Sequence, residues 1–538
     1  MKKSLLIAAA LCLLAAGCAQ KKSVPELNYE ELNALALEEY LQPVHPGIRG
    51  EVPFWNKFAT KYIYAPVFDF DDVENAASYT YTAKAGEQSF SFNNESPRAA
   101  ISDIWTELPV GPVTLTLQAQ DGQGNPLGEP QTVSFEKDNP FHGPYSPAPI
   151  GYRESAIRAA KALHDSPLGQ SWANGSKPDT IYFYNCYACK IWSGIAQTEC
   201  FLAREVPEYH DEALQRAINA CDGLIGAAQP EGAPLAFFPP TYYYGENNEF
   251  NTSVLRFNVG KTMFLEATYA ANALLDLYDL TEDQKYFDHA LGIAKTYRRL
   301  QAEDGSWPVK VNWETGEPIN EARCLPADIL MVANRLKVKY GVDGFEDMVA
   351  GGEKWMWDNT ISGFHFDGQF EDVPIEDKVP YQNLTHCTAG DCLEYLMTKP
   401  DQSERDLAAC KEIARWAEDQ FTRWHSAIEY EADALSAVDS VFTSPFVFEQ
   451  YHWKNPVDAS IAKVAINFMR IYKKTGDLLC LAKAKALVDT LVKIQHPETG
   501  MMPTVPNSET QFEQDDIWAN CVYYSIRTLM MMSEIMED

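Results

Sequence analysis

The chain has 538 residues, a formal net charge of −32 at pH 7 and 12% aromatic residues. That length exceeds what one hydrophobic core usually organises and predicts two domains. The charge argues against nucleic acid and anionic lipid surfaces as partners, and the aromatic content excludes a disordered or coiled-coil chain.

Residues 1–18 read as a processing segment: Lys2-Lys3, an apolar run over 5–14, then Ala15-Ala16-Gly17-Cys18. The run is too short to cross a bilayer. Small residues immediately before a cysteine resemble a bacterial lipobox, with Ala15 where leucine is commoner, and the resemblance implies lipidation of Cys18. The mature protein is then expected to be tethered to a membrane only through that lipid. Ala19-Gln20-Lys21-Lys22 lacks the acidic run that resembles a surface-export signal in Bacteroidetes lipoproteins, so the periplasmic side of the outer membrane is the expected location. The lead-in, 19–50, carries one amphipathic helix over 29–41, stopped by Pro43.

From 51 to 138 the texture changes to short alternating runs at 61–70, 77–83, 89–92, 113–119 and 132–135, with a hairpin turn at Asp121-Gly122-Gln123-Gly124-Asn125. This spacing predicts a small immunoglobulin-like β-sandwich. Pro140, Pro144, Pro147 and Pro149 make 139–152 a stiff linker.

From 153 to 538 the chain is helical. Helix pairs are expected at 152–165 with 183–205, 207–228 with 253–279, 282–302 with 322–340, 343–358 with 381–398, 403–425 with 457–475, and 477–496 with 516–536. Met263, Ala267, Ala270, Ala271 and Leu274 give one helix a wide buried face. Phe287, Ala290, Leu291 and Ala294 alternate with charges on the next, as an outward-facing helix requires. Asp304-Gly305 ends that helix in a turn. Repeating pairs of this kind form either a closed (α/α)6 toroid or an open solenoid. Ten cysteines beyond Cys18 are scattered along the helices and read as buried thiols rather than a disulfide framework; Cys186-x-x-Cys189 alone is a weak redox or metal signal. No motif for a phosphate, dinucleotide or zinc is present, so no cofactor or metal is expected.

The lipobox, the β-rich segment and a hairpin array carrying QAEDGSWP after an outer helix together resemble the six-hairpin glycosidase superfamily, and in layout the carbohydrate-active lipoproteins of gut Bacteroidetes. The resemblance implies a glycan substrate and a site at one mouth of the ring, where outer-to-inner loops converge. Uronic-acid enzymes are the nearest comparison. The loops supply the candidates. Glycoside hydrolysis needs two carboxyl groups; Glu371 or Asp372 is expected to supply one, and a different loop, 304–323 with Glu321, the other. His386 and Tyr381 are the expected proton-transfer groups, and Arg323 a clamp for a substrate carboxylate. Trp307, Trp313, Tyr243, Tyr244 and Trp518 offer rings for sugar stacking. Asn383, Glu449, His452 and Asp516 offer polar contacts. The expected function is a glycoside hydrolase on a uronic-acid-containing glycan. A polysaccharide lyase or uronate epimerase, with Tyr381 and His386 moving the C5 proton, is the second enzyme reading. A tethered glycan-binding protein is the non-enzymatic one.

Overall fold

A computed structural model describes residues 24–177, 183–245, 253–370, 379–425, 445–506 and 517–537. The lipobox, Cys18 and the acids Glu371, Asp372 and Asp516 lie outside them.

Helix α1 (Tyr29–Tyr40) opens the described chain. Its cap, Asn28, accepts from the Glu30 amide, and Leu32, Ala36 and Tyr40 are buried. A five-stranded sheet follows: β1 (Lys61–Tyr62), β2 (Ser78–Ala85), β3 (Gln88–Asn94), β4 (Gly111–Gln120) and β5 (Pro126–Lys137), with the short helix α2 (Ser102–Trp105) between β3 and β4. The strand order is β1-β5-β4-β2-β3, antiparallel except for β1 beside β5.

The expected sandwich is thus one sheet, and alternation along the strands explains why. Tyr79, Tyr81, Ala83, Val113, Leu115, Leu117 and Phe135 point to the buried side, where Phe135 meets Tyr62, Phe68 and Trp105. The opposite side carries hydroxyls that pair across strands, Ser91 with Thr82 at 3.0 Å and Thr114 with Ser134 at 3.3 Å. Such a face gains nothing by burial under a second sheet.

The helical part comprises α3 (Tyr152–Asp165), α4 (Pro167–Gln170), α5 (Ala188–Glu205), α6 (His210–Ala227), α7 (Ser253–Phe257), α8 (Ala267–Thr281), α9 (Gln284–Arg299), α10 (Ala327–Tyr340), α11 (Glu346–Met356), α12 (His386–Thr398), α13 (Glu404–Phe421), α14 (Asp458–Thr475), α15 (Leu478–Ile494) and α16 (Ala519–Met536). Helices α5, α8, α10, α12, α14 and α16 pack one on the next, and α16 returns to α5. Helices α3, α6, α9, α11, α13 and α15 lie outside them. The array therefore closes as an (α/α)6 toroid.

Closure depends on small residues. A side chain at Gly194 of α5 would run into the backbone of Ala519 and Asn520 of α16. Inner helices are flanked on both sides and backed by an outer helix, so α8 buries Ala267, Ala270, Ala271, Ala273, Leu274, Leu275 and Leu277. Gly305, at φ +89°, makes the turn after α9, and its Cα faces Gly351 too closely for any side chain. Asp304 completes that turn by accepting from the Ser306 amide and hydroxyl. All ten described cysteines are free thiols, most of them buried. The Cys189 thiol faces the carbonyls of Pro239 and Pro240, and burial raises its pKa well above the ordinary range.

The sheet is locked to the outside of the ring by buried polar groups. Asp419 on α13 accepts from the amides of Ile63 and Tyr64 at 2.6 and 2.8 Å. Lys61 donates to the carbonyls of Asp419 and Thr422. Lys483 on α15 sits 2.8 Å from both Glu39 of α1 and Glu418 of α13.

Candidate active site

The ring encloses an axial cavity. Its upper part, about 510 Å³, lies at the N-terminal ends of the inner helices. Its lower part, about 440 Å³, extends toward their C-terminal ends. Each inner helix brings polar side chains to this axis: Lys190 from α5, Tyr269 from α8, Asp391 from α12 and Tyr524 from α16 line both parts, while Asp328 from α10 lines the lower and Lys463 from α14 the upper. Six inner helices buried on nearly every side leave one direction for such residues, the axis.

The charges at this waist act on one another. Lys463 Nζ is 3.5 Å from Asp391 Oδ1 and 4.6 Å from the centre of the Tyr524 ring. Burial raises the Asp328 carboxyl well above the usual range, and the Asp391 charge raises it further. Burial also raises Asp391, against the pull of Lys463. Burial works against the Lys463 ammonium, but Asp391, with Tyr524, Cys387 and Tyr269 adding to it, outweighs burial and raises the lysine well above its ordinary range. The two carboxyls thus raise each other's proton affinity while Lys463 lowers both, so they titrate as a linked pair. Burial raises the phenols Tyr269 and Tyr524, so both remain protonated donors.

Below the waist Glu394, one turn beyond Asp391, is paired with Arg470 at 2.6 Å and with Arg527. Burial alone would raise its pKa, but the two guanidinium groups bring it down to about 2. Above the waist Glu266 stands 3.8 Å from Lys190. The mouth is lined by Glu449, Gln450, His452, Trp453 and Trp518. The Trp453 and Trp518 rings lie 6.5 Å apart and nearly parallel, and Tyr184 meets Trp518 edge-on at 5.9 Å.

Of the residues singled out from sequence, Glu449, His452 and Trp518 line this cavity; the others that are described do not. Trp307 is fully buried, its indole donating to the Tyr297 carbonyl at 2.9 Å, so it is a packing residue. Trp313 is held through its backbone by Gly260 and Gln229. Tyr243 packs against Trp192 at 5.2 Å, and Tyr244 donates to the Leu255 carbonyl. Glu321 is exposed on the surface of its loop. Arg323 lies toward Asp304, where its charge adds to the Ser306 hydrogen bonds that lower that carboxyl. Tyr381 donates to the Gly363 carbonyl at 3.0 Å, while its amide and that of Asn383 bind Asp367. Asn383 is itself buried against Gln450 and the His452 amide, and so shapes the mouth from behind. His386 is buried against Phe421; burial, then the charge of Lys463, lowers its pKa to about 3. A ring that stays neutral and enclosed is a poor proton carrier.

No family model matches the chain, and no curated protein matches it. Solved structures do. They include a family 76 glycoside hydrolase from a bovine Bacteroides thetaiotaomicron strain (10% identity, 86% of this chain and 95% of that one, TM-score 0.45). A sugar epimerase from a ruminal bacterium matches at 12% identity, over 71% of this chain and 99% of its own, with a TM-score of 0.48. An unsaturated glucuronyl hydrolase specific for heparin matches at 10% identity, over 71% and 96%, with a TM-score of 0.44. At these identities no residue's role passes from them to this chain.

The waist residues belong to no loop motif in the sequence. Their signal lies inside the helices: a charge embedded in an otherwise apolar buried segment, as Asp328 in ADILMVAN, Asp391 and Glu394 in HCTAGDCLEYL, and Lys463 and Arg470 seven apart on α14. Ionisable residues at such positions are costly unless paired.

Proposed function

We propose that the protein is a carbohydrate-active enzyme, specifically a glycoside hydrolase, with Asp328 and Asp391 as its working carboxyls. The observation that carries this is the pairing of two buried acids of raised pKa on adjacent inner helices, with Lys463 against one of them. Asp328, when it holds the proton, is suited to protonate a departing glycosidic oxygen. Asp391, ionised against Lys463, is suited to activate water or to meet the anomeric carbon. Tyr269 and Tyr524 offer phenol donors to sugar hydroxyls, while Trp453 and Trp518 offer faces for sugar C–H groups at the mouth.

The finer reading, a uronic-acid-containing substrate, rests on Lys190 and Lys463, the two lysines that line the upper cavity and would meet a sugar carboxylate. A lyase or epimerase on the same fold is disfavoured by the raised phenols, since either tyrosine would have to lose its proton to act as a base. Incubation of the unlipidated protein with uronic-acid and neutral glycans tests all three readings. New reducing ends without unsaturated uronate absorbance, lost in Asp391→Asn, support the hydrolase. Unsaturated products would replace it with a lyase, and binding without turnover would leave a glycan-binding protein. We also propose export and lipidation at Cys18, tested by fatty-acid labelling of wild type against Cys18→Ala.

A further inference from the structure

Two tiers of charge cross the same three inner helices. The upper joins Asp391 of α12, Lys463 of α14 and Tyr524 of α16: the ammonium lies 3.5 Å from the carboxylate and 4.6 Å from the centre of the phenol ring. The lower joins Glu394, Arg470 and Arg527 of those helices in the same order. One oxygen, Glu394 Oε1, takes both guanidinium groups, that of Arg470 at 2.6 Å. Glu394 follows Asp391 by one turn, Arg527 follows Tyr524 by one turn, and Arg470 follows Lys463 by two, so each helix carries both tiers on one face. Helices α12 and α16 each pack on α14, and Arg527 reaches past α14 to tie them together. A slide or rotation that misplaced the upper tier would therefore break the lower one as well.

Apolar side chains would join three helices at least as well as buried ions do. What they could not do is set the charge one turn below Asp391. After burial and Lys463, Glu394 raises the proton affinity of Asp391 and Arg527 lowers it. Asp328 responds in the same two directions, after burial, Asp391 and Lys463. Of the other groups around the pair, the phenols Tyr269, Tyr523 and Tyr524 and the Cys387 thiol are raised by burial and stay neutral. Lys190 stands against Glu266 at 3.8 Å, and Arg335 against Asp276 at 2.7 Å.

We propose that Glu394 and Arg527 are positioning residues for the Asp328–Asp391 pair: they hold α12, α14 and α16 in the register that places Lys463 on Asp391, and they fix the charge that the pair meets from below. The consequence for catalysis rests on the hydrolase reading; the consequence for the titration of the pair does not.

The test compares Arg527→Gln, Arg527→Lys and Glu394→Gln. A tier that only joined helices would loosen in all three, whereas a tier that sets charge separates them by sign. The titration of Asp328 and Asp391 is followed by infrared spectroscopy of the unlipidated protein, labelled with heavy carbon at the aspartate carboxyls. Asp328→Asn and Asp391→Asn assign the bands. The expected result is a titration moved up by about one pH unit in Arg527→Gln, moved down by a similar amount in Glu394→Gln, and left with wild type in Arg527→Lys. On a glycan that wild type turns over, Arg527→Gln lowers kcat roughly 10- to 100-fold with KM little changed. Shifts of the same sign, no shift, or Arg527→Lys moving with Arg527→Gln overturn the proposal. So does a raised KM with unchanged kcat, which would make Arg527 a substrate contact. If Glu394→Gln does not fold, Arg527→Gln against Arg527→Lys decides alone, since both keep the Glu394–Arg470 pair. Opposed shifts in a protein that turns over no glycan keep the positioning role and remove the hydrolase. Turnover by wild type with unmoved titrations keeps the hydrolase and removes the positioning role.

Discussion

Lys463 Nζ lies 3.5 Å from Asp391 Oδ1, joining the neighbouring inner helices α14 and α12 on the side that faces the axis of the ring. The same ammonium lowers the proton affinity of Asp328 on α10. One cation thereby tunes two acids that the chain keeps far apart in sequence.

If Asp328 and Asp391 work as a pair, Asp391→Asn and Asp328→Asn each reduce kcat by about 10²- to 10⁴-fold while glycan binding persists. Steady-state kinetics beside calorimetric binding check this. Loss of binding with unchanged kcat on residual complex would move the chemistry elsewhere.

Lys463→Met removes a charge that lowers both carboxyl pKa values. Both limbs of the kcat/KM profile then shift to higher pH, because each acid holds its proton longer. Unmoved limbs would show that the lysine does not act on the titrating groups.

The salt-bridged Glu394 ties stability to pH. Its pKa falls from 4.5 to about 2 on folding, which corresponds to about 3 kcal/mol. A depressed carboxyl contributes fully above its unfolded pKa, so this stabilisation is present at neutral pH. It is lost as pH falls from about 4.5 toward 2. Glu394→Gln leaves Arg470 and Arg527 without their carboxylate, a cost of about 3–5 kcal/mol at pH 7. Denaturant unfolding of wild type and variant converges as the pH is lowered through that window.

Two glycines separate ring closure from helix propensity. Gly194→Val forces α5 from the α16 backbone and costs at least about 1–3 kcal/mol. Gly226, near the end of α6, has open space where a side chain would project, with nothing within 4 Å of a Cβ at that position, so Gly226→Ala stabilises by about 0.4–1 kcal/mol. Thermal unfolding of the two variants should move in opposite directions.

Asp419 is one of the buried groups that fasten the sheet to the ring, beside Lys61. Asp419→Ala leaves the buried Ile63 and Tyr64 amides without their acceptor and should cost about 1–3 kcal/mol for each amide. Limited proteolysis between β5 and α3 reports the loosening, and a cleavage rate like that of wild type would assign the attachment to the apolar contacts instead.

The sequence by itself determined the elements of this protein. Helical period and turn residues located the six helix pairs and the Asp304-Gly305 stop, except that the single helix expected over 253–279 is divided into α7, a short strand (Lys261–Met263) and α8; amphipathic spacing and αL turns are local properties of the chain. Alternation located the strands for the same reason. Tertiary structure decided how the elements combine. Whether the strands make one sheet or two depends on which face finds a partner, and the hydroxyl face of β2 and β4 finds water. Whether the helices close depends on α16 reaching α5 over Gly194. The waist follows only from closure: Lys190, Tyr269, Asp328, Asp391, Lys463 and Tyr524 are separate polar interruptions in six helices until the ring aims them at one axis. Trp307 and His386 mislead for the converse reason, because an aromatic or imidazole ring beside a loop looks available in sequence and is enclosed once the ring packs around it.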